Sequence, residues 1–361
     1  MPENAMTRLN LSRTVAPSDT STSNVIAPAG PQIDPGPVGI ASHTDIAYAT
    51  RTGLNGRGLT LRLDLLIPRT PGAKPLVIYV PGGGFTICHK EMALERRTFV
   101  AEAGYAVASV QYRTVGDGAT YRDTVADVKS AIRFLRANAR HYGIDASQIA
   151  VWGESAGGYL AAMVGATGTL PEFEPPDHAE VSCEVQAVID YFGPSDLSRV
   201  AADFDEDAKQ AHLQPGAPVA AFVFGPGTTK SLADEPAVVA AADPARYVTA
   251  KAPPFLLFHG SNDVVVSPSQ TLGLHNTLIE HGVESTRYVL TGAGHGDIAV
   301  ILAGLKDELP PGFDHDDLVA GLGGLDGALP WTTKELLGHV TEFLGKHLSR
   351  TAPSDYQGEN R

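Results

Sequence analysis

A serine at position 155 stands between glycines in Gly153-Glu154-Ser155-Ala156-Gly157-Gly158, with the apolar run IAVW before it and YLAAM after it. This is the G-x-S-x-G spacing, in which a sharp turn from strand to helix lifts a hydroxyl out of the chain. Glycine at the flanking positions lets strand and helix approach closely, and the helix N-terminus beside the serine favours developing negative charge. A serine hydroxyl is a poor nucleophile without a base to take its proton and a carboxylate to orient that base. Downstream, FLLFHGSNDVVVSPSQ puts Asp263 just past one apolar run, and TGAGHGD puts His295 in a glycine-lined loop past the next. Ser155, Asp263 and His295, in that order, are the candidate nucleophile, orienting acid and base. Activity through such a set should rise with pH across a histidine titration, ordinarily near about 6.5.

Other residues compete for these roles. Asp196, in YFGPSDL, also follows a strand-like run and is the alternative carboxylate. Asp297 reads as a loop or cap residue, Glu154 as structural, and His259, beside Gly260, as a hydrogen-bonded turn residue. Acyl transfer also needs fixed donors for an oxyanion, and main-chain N–H groups serve because they cannot ionise. In YVPGGGFTICHK the loop after an apolar run carries three glycines. Gly83 and Gly84, with Ala156 after the serine, are the candidate oxyanion donors. Phe85, Ile87 and Cys88 beside them suggest an apolar pocket for a short or aromatic acyl group.

These residues need strands and helices to position them. LTLRLDLLIP (59–68) begins with period-two alternation, the mark of a half-buried strand, whereas PLVIYV (75–80) is continuously apolar, as strands buried on both faces are. Strand-like runs recur at 105–113, 148–153, 185–193, 254–260 and 285–292, with a helix near 91–103 and helical segments between most of the others. In a long amphipathic helix Tyr121, Val125, Val128, Ile132, Leu135, Ala139 and Tyr142 share one face, while Arg122, Asp123, Asp127, Lys129, Arg133 and Arg136 occupy others. The alternation predicts an α/β fold with a mainly parallel central sheet and an early antiparallel strand. Residues 1–40, rich in Pro, Ser, Thr and Gly, read as a flexible N-terminal arm. The core is expected at 41–198 and 247–349, and residues 199–246 exceed a simple crossover and read as an inserted lid. Residues 304–330 are irregular, a final helix is expected over 332–348, and 350–361 read as a C-terminal tail.

The chain has 361 residues, is 43% hydrophobic and carries a net charge of −14, with no basic face to bind nucleic acid or an anionic membrane. No run approaches the roughly 18 apolar residues of a membrane span. The start lacks the apolar core of a secretory signal, so a cytoplasmic location is expected. Cys88 and Cys183 lack metal-ligand spacing and read as free thiols. GPGTTKS (225–231) is not a phosphate loop, because Thr229 stands where the glycine before Lys230 is required. GAGHGD is not a dinucleotide fingerprint, because Asp297 holds the last glycine position. No H-E-x-x-H occurs, and neither metal nor cofactor is implied.

In order, PGGGF, GESAGG, DYFGPSDL, HGSNDVVVSPSQ and GAGHGD resemble the α/β-hydrolase family, and within it the bacterial carboxylesterases related to hormone-sensitive lipase and to feruloyl and acetyl esterases. The resemblance covers about residues 41–349. It implies the same triad and oxyanion hole, a variable cap at 199–246, a small-molecule ester substrate and either a monomer or a homodimer. Members of the family usually carry a histidine just before the glycines, where this chain has Pro81. Proline offers no N–H, so whatever bonds that histidine makes to brace the loop are absent. Two other functions share these residues: an acyltransferase or lyase-type enzyme of a biosynthetic pathway, and a non-catalytic ligand-binding homologue.

Overall fold

A computed structural model of the protein describes residues 12–27, 31–33, 39–54, 56–296 and 330–348. Nine strands form one sheet: β1 (Asn24–Ile26), β2 (Ile40–Thr52), β3 (Gly58–Pro68), β4 (Lys74–Val80), β5 (Ala106–Val110), β6 (Ile144–Glu154), β7 (Ala187–Tyr191), β8 (Phe255–Gly260) and β9 (Ser285–Leu290). Their spatial order is β1-β9-β8-β7-β6-β4-β5-β3-β2. All pairs from β5 to β1 are parallel, and β3 joins β5, and β2 joins β3, antiparallel. The expected mainly parallel sheet is observed, with two early antiparallel strands, β2 and β3, where one was expected.

Hydrophobic side chains of the central strands alternate between two cores, one on each face. In β4, Leu76, Ile78 and Val80 pack in one core, while Val77 and Tyr79 pack in the other. Continuous apolar sequence follows from burial on both sides. Helices α2 (Tyr121–Ala137) and α4 (Ala156–Thr167) cover the first face. Helix α1 (Leu94–Glu102) and the last described helix, Lys334–His347, cover the second. Parallel strands end at one edge of the sheet, and β4, β6, β8 and β9 all deliver their following loops there, where ligands of such sheets bind.

Several expectations need correction. Residues 12–27 are not a free arm. Asn24–Ile26 adds a parallel strand beside β9, Ser12 donates to Asp205 at 2.8 Å, and His275 Nε2 is 2.8 Å from the Thr22 carbonyl. Short Ser, Thr and Asn side chains hydrogen-bond this segment to the core, and Val15 and Ile26 add partly buried apolar contacts. Asp127, Lys129 and Arg133 of α2 are buried rather than solvated. The connection after α4 folds back over them: Lys129 donates to Gly168 O at 2.6 Å and Arg133 to Pro175 O at 2.9 Å. Asp127 is held between Arg51 of β2 and Arg113. Within 199–246 lie three short helices, α5 (Glu206–His212), α6 (Pro218–Phe224) and α7 (Pro236–Ala240). Asp297, the tail 350–361 and all of the irregular stretch 304–330 but Pro330 lie outside the described residues.

Asp190 lies on β7, wholly buried close to Gly158 of α4, with Oδ1 accepting the Gly193 N–H at 2.8 Å and no partner for Oδ2 among the described residues. Burial pushes its carboxyl up to about 7, against the smaller lowering by the Gly193 N–H. The folded protein therefore keeps a proton that the unfolded chain releases above about pH 4, so this stability is complete below that value and is lost as pH rises towards 7. In Asp190→Asn the titration is gone. The melting temperature of the wild type should fall further between about pH 5 and pH 8 than that of the variant, and parallel falls would contradict the assignment.

Candidate active site

Ser155 sits between the end of β6 and the start of α4 with φ 55° and ψ −120°, a conformation that L-residues rarely adopt. Its N–H is tied to Tyr191 O at 2.8 Å, and its carbonyl accepts the Tyr159 N–H at 3.0 Å. Gly153 and Gly157 are required by space, since a Cβ on Gly153 would overlap the Gly157 carbonyl and one on Gly157 would overlap the Val80 carbonyl. Glu154 points away from the edge and pairs with buried Arg96 at 2.8 Å, as a structural residue does.

The Ser155 hydroxyl is 2.8 Å from His295 Nε2, and His295 Nδ1 is 2.7 Å from Asp263 Oδ2. A carboxylate beside Nδ1 fixes the proton there, which leaves Nε2 to accept from the serine. Asp263 Oδ1 accepts the N–H groups of Val265 and Val266, each at 2.9 Å. Burial alone would raise the Asp263 carboxyl, but the charge of His295 and hydrogen bonds from His259 and His295 hold it well below the usual carboxylate range. The ring of Phe192 packs on the imidazole of His295 at 4.6 Å between centroids. Of the competing residues, Asp196 caps a short helical turn by accepting from Ser198 N–H at 3.1 Å. His259 is fully buried at the end of β8, with both ring nitrogens in hydrogen bonds.

The glycine loop crosses directly over the elbow. A Cβ on Gly82 would lie 2.9 Å from the Glu154 carbonyl and 3.2 Å from the Ser155 Cβ. Gly83 and Gly84 have φ of 140° and 56°, and the Gly83 carbonyl accepts from Thr86 and Ile87 at 3.0 and 3.1 Å, closing the loop on itself. Among the described residues, no acceptor takes the N–H of Gly83, Gly84 or Ala156. Pro81 is braced from below, because the buried Tyr112 hydroxyl donates to its carbonyl at 2.8 Å. Carbonyl acceptance survives where a donor is lost, so proline keeps a tie to the core. Phe85 stacks on Phe222 of α6 at 3.8 Å and meets Tyr159 edge-on at 5.5 Å. Ile87 is exposed, and the Cys88 thiol is pushed up to about 12 by burial, so it is inert.

Sequence reasoning missed Tyr112, Phe192 and Phe222. Each reaches the site across the fold, and the sequence hints only at Tyr112 and Phe192, aromatics just past the ends of β5 and β7. Among the described residues no cluster of three or more His, Cys, Asp or Glu is grouped to hold a metal ion. None of their helices is long and apolar enough to cross a membrane.

A family profile described as BD-FAE matches residues 63–278. Esterase LipQ of Mycobacterium tuberculosis H37Rv is 30% identical over 71% of this chain and 57% of its own. The probable carboxylic ester hydrolase LipM of the same organism is 30% identical over 65% of this chain and 51% of its own. The chain thus spans about half the length of the curated relatives it matches. Among solved structures, a truncated form of a carbohydrate esterase from gut microbiota superposes with a TM-score of 0.68 at 24% identity, over 88% of this chain and 99% of that one. That likeness concerns the fold. With its profile match extending over more than half of its length, the chain belongs to the BD-FAE family and has the α/β-hydrolase fold.

Proposed function

We propose that the protein is a carboxylic ester hydrolase working through an acyl-Ser155 intermediate. The hydrogen-bonded row from Ser155 through His295 to Asp263, at 2.8 and 2.7 Å, is the observation that carries this reading. His295 takes the Ser155 proton as Oγ bonds to the ester carbonyl carbon, and the oxygen becomes an oxyanion beside the N–H groups of Gly83, Gly84 and Ala156. Collapse breaks the ester bond, and His295 returns the proton to the departing alcohol. Water then adds to the acyl carbon, losing its proton to His295, and the acid leaves as the proton returns to Ser155 Oγ. Asp263, held ionised, keeps His295 in the accepting tautomer and stabilises the imidazolium formed in each half-reaction.

The names of LipQ and LipM support an ester substrate. Phe85, Tyr159 and Phe222 pack on one another as a buried aromatic wall beside the glycine loop, and this apolar setting supports a small or medium acyl group, aromatic ones included. Residues 199–246 then act as a cap, with Phe222 of α6 as its contact with the loop.

Hydrolysis of p-nitrophenyl esters from acetate to decanoate tests this reading. Ser155→Ala should lower kcat/KM by roughly 10⁴-fold or more and abolish covalent labelling by a serine-directed phosphonate. Retained turnover would remove the acyl-serine route, and transfer of the acyl group to added alcohols in preference to water would replace hydrolysis by acyl transfer. With Asp263 held ionised, kcat/KM should rise through one histidine step, so a flat profile between about pH 5 and 8 would contradict His295 as base. Tyr112→Phe leaves the buried Pro81 carbonyl without its donor, which costs about 1–3 kcal/mol. We expect a melting temperature lower by several degrees and a kcat reduced roughly threefold or more, whereas an unchanged kcat would mean that the brace does not set the loop.

A further inference from the structure

Asp263 has a second imidazole. His259 Nε2 lies 3.2 Å from Asp263 Oδ2, the oxygen that His295 uses, and 3.0 Å from the Val266 carbonyl. On its other side Nδ1 is 2.9 Å from Thr271 Oγ1, on helix α8 (Ser269–Glu280). Thr271 Oγ1 in turn accepts from Arg287 Nε at 3.0 Å. Arg287, on β9, also donates from Nη2 to Pro268 O at 2.8 Å and from Nη1 to Ser23 Oγ, just before β1, at 2.7 Å. His259, Asp263, Thr271 and Arg287 are all fully buried.

The direction of every hydrogen bond in this row follows from chemistry. Arginine can only donate, so the Thr271 oxygen accepts there, and in a neutral ring protonated at Nε2 the Thr271 proton points to His259 Nδ1. The Val266 carbonyl and the Asp263 carboxylate can only accept, so Nε2 carries the single ring proton. A doubly protonated His259 would bring another cation towards a buried guanidinium. The acceptors at Nε2 therefore set the tautomer of His259, and the guanidinium, through Thr271, favours the neutral ring.

We infer that His259 is a positioning residue for the reaction, a second imidazole on Asp263 Oδ2 that Arg287, through Thr271, keeps neutral with its proton on Nε2. This inference rests on the ester-hydrolase reading for its kinetic part only. Two main-chain N–H groups on Oδ1 and the His295 N–H on Oδ2 hold the carboxylate towards His295, and the His259 Nε2–H, bonded to the Val266 carbonyl, lies 3.2 Å from Oδ2 on its remaining side. That N–H draws charge from the oxygen that His295 faces. Loss of His259 leaves that charge concentrated on His295, which favours its protonated form and moves its titration to higher pH. The other charged or titratable groups around the row are Asp19 and Asp203, which attract Arg287, and His275 of α8, which its charge opposes.

The test compares His259→Phe, His259→Gln and Thr271→Val with the wild type. In His259→Phe, kcat should fall about 10- to 100-fold with KM little changed, the range typical of groups that orient a reacting side chain. The acid limb of kcat/KM should move up by roughly half a pH unit or more. Glutamine, which can accept from Thr271 and donate to Asp263, should recover much of both. Thr271→Val keeps the volume and both imidazoles and should move the limb in the same direction by less. The low-field proton resonance of the His295 Nδ1–H to Asp263 bond, followed against pH, gives the same titration without any turnover. That resonance separates failure of this inference from failure of the hydrolase reading. A limb and a resonance that stay at their wild-type positions in His259→Gln and Thr271→Val, and in His259→Phe if it folds, would overturn the assignment. So would losses that only track the melting temperatures.

Discussion

The main chain at the start of α4 passes so close to the end of β4 that no side chain fits between the Gly157 Cα and the Val80 carbonyl. This close approach locks the elbow to the loop that follows β4, and the geometry of the site depends on it. It brings Gly82 against Glu154 and Ser155, and so sets the glycine loop beside the hydroxyl. The backbone of Ser155 is strained, at a cost on the order of 1–3 kcal/mol. The surroundings over-determine it: β4 is buried along its whole length, Arg96 and Glu154 pair behind the turn, and Tyr191 O holds the Ser155 N–H.

Sequence patterns carried the centre of the fold and of the candidate site, and failed at its margins for identifiable reasons. Strands β4, β6 and β8 were legible because burial on both faces demands unbroken apolar runs, and the elbow was legible because steric exclusion demands glycine. Strand β2 was not, although it has 13 residues. It lies at the sheet edge with one face towards solvent, and register shifts after His43 and Ala47 break its alternation. The segment before it reads as disordered by composition, yet hydrogen bonds from His275 and Arg287 hold it, and such bonds leave no periodic trace. Charges on α2 read as solvated because periodicity records polarity and not coverage by a later loop. Pro81 read as a missing brace. The Tyr112 hydroxyl that supplies one is 31 residues further along the chain, a pairing that a single sequence does not display.

Asp190 and Asp263 show what the fold does with a carboxyl group once it is buried. Both are wholly removed from water, and desolvation pushes both towards the neutral acid. Asp190 receives one N–H, from Gly193, and its carboxyl is raised to about 7. Asp263 receives two main-chain N–H groups and faces two imidazoles, and it is held ionised. Depth is the same, so the neighbours decide the difference: the charge of His295 first, then the hydrogen bonds from His259 and His295. Donors are scarce inside a strand, where main-chain N–H groups are committed to the ladder, and Asp190 lies inside β7. They are free where a chain turns, and Asp263 lies three residues beyond the end of β8, in a turn that aims the N–H groups of Val265 and Val266 at one oxygen. An orienting carboxylate therefore belongs past the strand end rather than within the strand, and so does the imidazole it orients.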